Sequence, residues 1–300
     1  MFTLIICTYN RDQYIYNTLK CIAENNYPAE KYEIVLVNNN STDQTENECI
    51  RFQQDYPNTP YRYFIEMNQG LSHARNRGIK EAKGDILLFL DDDSFIAADY
   101  LNNLERNLIN HPDLVALGGK IAPLFESGET PKWLSKWTLT LVSAIDLGNE
   151  ITLFKGSQYP VGANMGFKKE CFEKYGLFNT ALGRSKKNLM AGEEKDIFNR
   201  IKEDDGKIYY FPNVKIQHVI PESRTTKKFV HKMGMGVGQS EKLRTLAISK
   251  RSYIKRVFSE VIKWGGSIIL CLGYVLAFQS QKGTILLSFR WNVTKGLLEK

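Results

Sequence analysis

The patterning of this chain predicts an α/β fold: a mostly parallel sheet covered by helices on both faces. One observation behind this is that short β-type runs alternate with stretches of helical spacing through roughly the first 120 residues. Another is that the runs that read as core strands end in clusters of polar residues. In sheets of this kind ligands bind at those strand ends.

In chain order, residues 2–7 are apolar at once, too short and too poor in basic residues for a secretory leader, and read as an opening strand. Thr8, Asn10 and Arg11 follow, and helical spacing covers 12–25. A second run at 33–38 leads into the polar stretch 38–43 and a helix over 43–55, where Ser41 and Gln44 have capping-box spacing. Runs at 61–66, 85–90 and 114–121 alternate with helical stretches at 71–82 and 98–110. Beyond about residue 122 the periodicity fades. There Trp133 and Trp137 stand one helical turn apart, an acidic cluster opens a helix after Gly192, and 215–218 is strand-like. The expected division is a domain over 1–222 and a basic, partly apolar helical extension over 223–300.

Charge is unevenly spread. Residues 215–300 hold 16 Lys/Arg against 4 Glu, a balance of +12, while 1–214 balance at −5, for a net charge of +7. A basic tail on an acidic body points to a polyanionic surface. Nucleic acid is disfavoured, because no aromatics interleave with the basic residues and no binding module is recognisable. Residues 264–281 carry no charge, and their strongly apolar part, to Phe278, runs about 15 residues, short of the ~20 needed to span a bilayer. With Lys255, Arg256, Lys263, Lys282 and Arg290 around it, this stretch reads as an interfacial or re-entrant helix on an anionic membrane; a buried core helix is the competing reading. Five scattered cysteines without a CxxC pair fit a reduced compartment and exclude a zinc or disulfide framework.

Residues 85–93 read DILLFLDDD. Three carboxylates at the tip of a core run lose hydration and repel one another, which raises their pKa unless a cation is near. Hard oxygen ligands suit Mg²⁺ or Mn²⁺ shared with a substrate's phosphates. A solvated turn capping the next helix is the other reading of the same residues.

Taken with its companions, this stretch resembles the inverting family 2 glycosyltransferases, of the GT-A nucleotide-sugar-binding fold. The resemblance covers roughly 2–220 and runs, in the family's order, through CTYNR, VNNNSTDQT, NQGLSHARNRGI, DILLFLDDD, GANM and GEEKDIFNRI. It implies a nucleoside diphosphate-sugar donor, a divalent cation, and a sugar or lipid-linked acceptor in surface polysaccharide or glycolipid assembly. The place of work would be cytoplasmic, at the inner face of the plasma membrane.

By resemblance, Thr8, Asn10 and Arg11 line the nucleotide pocket and Arg75 lies near the base and phosphates. Asp93 ligates the metal, His218 completes its shell with His231 in reserve, and Asp91 or Asp92 contacts ribose or donor sugar. Asn38 and Asn39 stand where the family usually has aspartates, one of which reads uracil, so UDP is favoured. Gly162 and Asn164 belong to the glycine loop that approaches the donor sugar. Glu194, with Glu193 as alternate, is the base that takes the acceptor proton, a role worth ~10²–10⁴-fold. Trp133 and Trp137 either stack acceptor sugars or form core.

Four alternatives are weighed against this. A sugar-phosphate nucleotidyltransferase would carry a glycine- and lysine/arginine-rich loop after the first strand, and CTYNRDQYIY has no glycine. An inactive nucleotide-sugar binder would lose the base, whereas here two glutamates stand together. A dinucleotide dehydrogenase would show GxGxxG after the first strand, and none is present. A processive synthase would show QxxRW, but Leu287 occupies the glutamine position before Arg290 and Trp291.

Overall fold

A computed structural model describes residues 1–183 and 192–299. The runs at the start of the chain become β1 (Phe2–Thr8), β2 (Tyr32–Asn38), β3 (Tyr61–Ile65) and β4 (Ile86–Asp91), paired in parallel in the order β3-β2-β1-β4. Leu4, Ile5, Ile6, Ile34, Val35, Leu36, Leu87 and Leu88 are all fully buried. Their apolar runs are continuous because both faces of a parallel sheet are covered. The covers are α1 (Asp12–Ala23), α2 (Thr45–Asp55), α3 (Leu71–Glu81) and α4 (Tyr100–Asn110), which bury stripes such as Ile15, Leu19 and Ile22 of α1.

The register sets up the site. Thr8 pairs with Asn38, and Cys7 pairs with Asp91, so three polar strand ends finish level at one edge of the sheet. The capping box expected at Ser41 and Gln44 does not form. Asp43 Oδ1 instead accepts the Thr45 N–H at 3.0 Å, and Ser41 Oγ accepts the N–H of Asn10 at 3.0 Å, tying the loop after β2 to the loop after β1.

Beyond β4 the sheet becomes antiparallel. Its strands there are β5 (Ser94–Ile96), β6 (Leu114–Phe125), β7 (Thr152–Leu153), β8 (Asn164–Lys168) and β9 (Lys207–Ile220). β8 pairs antiparallel with β4 and β6, and β5 and β7 pair antiparallel with β9. Helices α5 (Glu170–Tyr175) and α6 (Glu193–Glu203) complete this part. The short strands β7 and β8 come from the stretch where periodicity faded, and their partners are distant in sequence.

Two compact units result. One comprises Met1–Pro123, Ser143–Thr180 and Glu193–Val219; the other comprises Leu124–Val142 and the described parts of Ala181–Gly192 and Ile220–Lys300. The second unit holds α7 (Lys227–Ile248), α8 (Lys250–Leu276) and α9 (Ser280–Leu298). Helices α7 and α9 approach closely enough that a Cβ on Gly238 would lie 2.2 Å from the Val293 carbonyl oxygen.

Asn164 braces the first unit. Fully buried on β8, its Nδ2 donates to Lys120 O of β6 (3.2 Å) and Val214 O of β9 (2.9 Å), while its Oδ1 accepts the Tyr100 hydroxyl of α4 (2.7 Å). The expected place in a donor-sugar loop is therefore corrected: its amide is committed to holding four elements together. Replacing Asn164 with Ala orphans a buried hydroxyl and two carbonyls and is expected to cost about 3–5 kcal/mol of stability. A urea denaturation midpoint within error of the unmodified chain would show that this brace contributes little.

Candidate functional site

The acidic tip of β4 is answered from two sides. Pairing of Ser94 on β5 with His218 on β9 brings the imidazole to the carboxylates. Among the described residues, the ligand atoms of Asp91, Asp93 and His218 lie within 4.8 Å of one another. His218 Nε2 is 2.9 Å from Asp93 Oδ1 and 3.8 Å from Asp91 Oδ2. The ring is fully buried, and neither of its nitrogens has a hydrogen-bond partner. A buried imidazole left without hydrogen bonds and aimed at two carboxylates fits a cation site, and the hard oxygen donors suit Mg²⁺ or Mn²⁺. The structure thus brings together the two predicted ligands, Asp93 and His218, and adds Asp91, which had been expected at ribose or sugar.

Asp92 points elsewhere. Its carboxyl is buried, with Arg11 Nε 3.5 Å from Oδ1, and Arg11 Nη2 lies 3.6 Å from Asp93 Oδ2. Burial pushes the Asp92 carboxyl up to about 7, Arg11 draws it down, and Asp93 raises it again. For Arg11, burial disfavours the charge, but Asp92, Asp93 and Asp91 outweigh it and hold the guanidinium above its ordinary range. Arg11 is therefore the resident countercharge of the acidic tip rather than a side chain left free for a nucleotide. Thr8, buried at the end of β1, lies beside the Asp92 carboxyl.

The polar loops after β1 and β2 hold each other. Asn10, at a φ of 53°, accepts the Thr42 N–H on Oδ1 at 2.8 Å. Asn38 Nδ2 donates to the Tyr63 hydroxyl at 2.7 Å, and its Oδ1 accepts the Ser41 N–H at 2.9 Å. Asn39 Nδ2 donates to Glu66 O (2.9 Å) and Asn68 O (2.8 Å), while Oδ1 accepts the Gly70 N–H (2.8 Å). Both N–H donors of Asn39 are thus committed to the loop that leads into α3, which corrects its expected role as a reader of the base. An aspartate there would face two carbonyl oxygens with no proton to offer, so the departure from the family's residue has a structural reason.

A second charged cluster is formed by Arg75 on α3 with Glu193 and Glu194 in the first turn of α6. Arg75 Nη1 donates to Glu193 Oε1 at 3.1 Å, and Nη2 donates to Glu194 Oε1 at 2.9 Å. The guanidinium lies over the Phe178 ring, 5.4 Å from its centre. Burial opposes its charge, yet Glu194 and Glu193, with Asp91 behind them, hold it above the ordinary arginine range. Since Asp91 acts on Arg75, the two charged clusters are electrostatic neighbours. Burial also pushes the Cys7 thiol beside them up to about 12, so it stays protonated.

Gly162 explains itself here. A Cβ at that position would fall 2.1 Å from both Arg75 Nη2 and Glu194 Oε1. The slot that glycine leaves is filled by this ion pair. The sequence offered no signal for the pairing, because Arg75 and Glu194 are brought together only by the sheet. Asp196 is held by Arg200 at 3.0 Å on the same helix.

The tryptophans lie in the second unit, in turns rather than a helix, so their spacing is not that of one helical face. Trp133 packs on Leu141, Val230, Met233 and Ile285, and its Nε1 donates to Thr225 O at 3.0 Å, which removes it as an open stacking face. Trp137 is exposed, with the Lys136 ammonium 5.1 Å from its ring. His231 stands exposed on α7.

Known proteins resemble this chain in sequence and in fold. The family model for glycosyl transferase family 2 matches residues 3–176. The chain is 24% identical over 261 residues, 85% of its length and 81% of the other's, to the glucosyl-dolichyl phosphate glucuronosyltransferase of Haloferax volcanii. To the minor teichoic acid biosynthesis protein GgaB of Bacillus subtilis it is 32% identical over 119 residues, but it spans only 13% of that protein. In three dimensions it resembles the mannosyltransferase PcManGT from Pyrobaculum calidifontis, in complex with GDP-Man and Mn²⁺, with a TM-score of 0.66 at 19% identity over 100% of this chain and 87% of that one. It also resembles S. aureus TarS 1-349 in complex with UDP-GlcNAc, with a TM-score of 0.56 at 14% identity over 97% and 91% of the two chains. These likenesses establish the GT-A fold. Matched by the family model over more than half its length, the chain belongs to glycosyl transferase family 2.

Proposed function

We propose that this glycosyltransferase moves a sugar, with inversion, from a nucleoside diphosphate-sugar to an acceptor hydroxyl, with Glu194 as the base. The observation that carries the reading is the Glu193–Arg75–Glu194 cluster beside the acid–histidine cluster. Burial separates the two glutamates: the Glu193 side chain is 2% exposed, whereas that of Glu194 is 20% exposed. Glu193 serves as the buried anchor of Arg75, and Glu194 is the carboxylate an acceptor can reach.

The acceptor oxygen forms its bond to the anomeric carbon while the bond to the diphosphate breaks and its electron pair leaves with the phosphate. The acceptor proton passes to Glu194. Arg75 is placed to exchange Glu194 for the departing diphosphate, which frees the base as countercharge arrives at the leaving group. Asp91, Asp93 and His218 would hold a divalent cation, Mg²⁺ or Mn²⁺, which when bound offsets the negative charge of the diphosphate.

UDP is the donor base we favour, in line with the family resemblance and with the UDP-GlcNAc carried by one solved neighbour. The names of the relatives, which mention dolichyl phosphate and teichoic acid, support an acceptor that is lipid-linked or part of a surface polymer, met at the cytoplasmic face of the membrane.

Glu194→Gln should lower turnover by ~10²–10⁴-fold while donor affinity, measured calorimetrically, stays nearly unchanged. Full turnover in that variant would remove Glu194 from the base role, and donor binding without turnover in the unmodified chain would mark an inactive binder. Asp93→Asn should abolish the extra thermal stabilisation that Mn²⁺ adds to UDP; identical melting curves with and without the substitution would contradict the cation site. Gly162→Ala should cut activity by ~10²-fold by driving Arg75 and Glu194 apart, and an unaffected rate would show that their contact is dispensable.

A further inference from the structure

Helix α8 is built inside out for a helix in water. An aqueous amphipathic helix turns its apolar stripe to the protein and its polar stripe to solvent. Here the outer side carries Ile254, Phe258, Ile262, Ile269, Leu272 and Leu276, spaced to lie on one face and exposed by between 60% and 81%. The inner side carries the charged pair Arg256 and Glu260. Arg256 Nε donates to Glu241 Oε2 of α7 at 2.9 Å, Arg256 Nη1 donates to Glu260 Oε2 at 2.6 Å, and Arg290 Nη1 of α9 donates to Glu260 Oε1 at 2.9 Å. Glu241 and Glu260 are both buried. These inner charges are thus consumed in a chain of ion pairs joining three helices, and the apolar stripe is left outside.

What covers that stripe can be read from the charges around it. Lys250, Arg251 and Lys255 stand exposed over the first turns of α8, and Lys282 follows just beyond its far end. Residues 215–300 as a whole balance at +12. Two copies of this face would bring like charges together, whereas an anionic lipid surface complements both the apolar stripe and its basic ends. Phe278, 98% exposed, and the exposed Trp291, whose ring is 6.5 Å from that of Trp264, are residue types suited to the headgroup boundary.

Length alone would let α8 cross a bilayer. Its charge-free part is shorter than that, and its N-terminal half is tied by ion pairs to α7 and α9. We propose that α8 lies in the membrane plane, docking the protein on an anionic bilayer through its outward apolar stripe. The geometry leaves that stripe preformed, with no rearrangement needed to expose it.

The test uses the full chain and vesicles of phosphatidylcholine with or without phosphatidylglycerol, read by co-sedimentation and tryptophan fluorescence. Binding is expected to phosphatidylglycerol vesicles and to fall at least ~10-fold without the anionic lipid. Substituting Ser at Phe258, Ile262, Ile269 and Leu272 should abolish binding while circular dichroism and the melting temperature hold, since these side chains are 60% to 71% exposed. Glu in place of Lys250, Arg251 and Lys255 should weaken it by about 100-fold. Equal binding to neutral vesicles, or unchanged binding by the serine variant, would overturn the proposal. So would absence of lipid binding together with concentration-dependent dimerisation that the serine variant loses, which would assign the stripe to a second copy.

Discussion

At the end of β4 the chain sets Asp91, Asp92 and Asp93 side by side at the rim of a buried sheet, and the charge they carry has to be offset within a few ångströms. Arg11 approaches Asp92 and Asp93 at 3.5 and 3.6 Å, His218 faces Asp91 and Asp93, and Arg75 feels Asp91 from the neighbouring cluster. An uncompensated carboxylate in such a place would neutralise itself by holding its proton, as the upward displacement of Asp92 to about 7 shows even with Arg11 beside it. The strand pairing exists around this constraint: β5 against β9 delivers His218, and the loop after β1 delivers Arg11.

Arg75 extends the same logic to the glutamates. A buried guanidinium with two carboxylate partners is a costly group to leave with none. That makes Glu193 a fixed partner and Glu194 an exchangeable one, because only the second has a side open to solvent. Gly162 is part of the device, since any side chain there would occupy the space in which the pair meets. In the proposed mechanism such an arrangement keeps the base paired until another anion competes for its arginine, a property that belongs to the three residues together and to none alone.

The C-terminal helices show the reverse allocation of polarity. Close backbone approach at Gly238, the apolar cluster of Val230, Met233 and Ile285, and the Arg256–Glu260–Arg290 chain together hold these helices, leaving the outward apolar side chains of α8 for another surface. The uncharged stretch after Lys263 was legible in the sequence, but its direction was not: composition does not say which side of a helix faces its neighbours.

The parallel half of the sheet could be read from the sequence because its strands are buried on both faces and therefore apolar along their whole length, with turn and helix signals between them. The antiparallel half was legible only in part, at 114–121 of β6 and 215–218 of β9, since β5, β7 and β8 are only two to five residues long and acquire their partners from far along the chain. Motif position placed Asp91, Asp93, His218, Arg75, Glu193 and Glu194 in one neighbourhood. It erred on the side chains of Asn164 and Asn39, which point into hydrogen-bonding positions that no spacing reveals. The interval between Trp133 and Trp137 does not mean one helical face, because both stand in turns. Residue types and order decided the fold class and the kind of chemistry; which carboxylate meets which cation was decided only when the sheet brought distant residues within hydrogen-bond range.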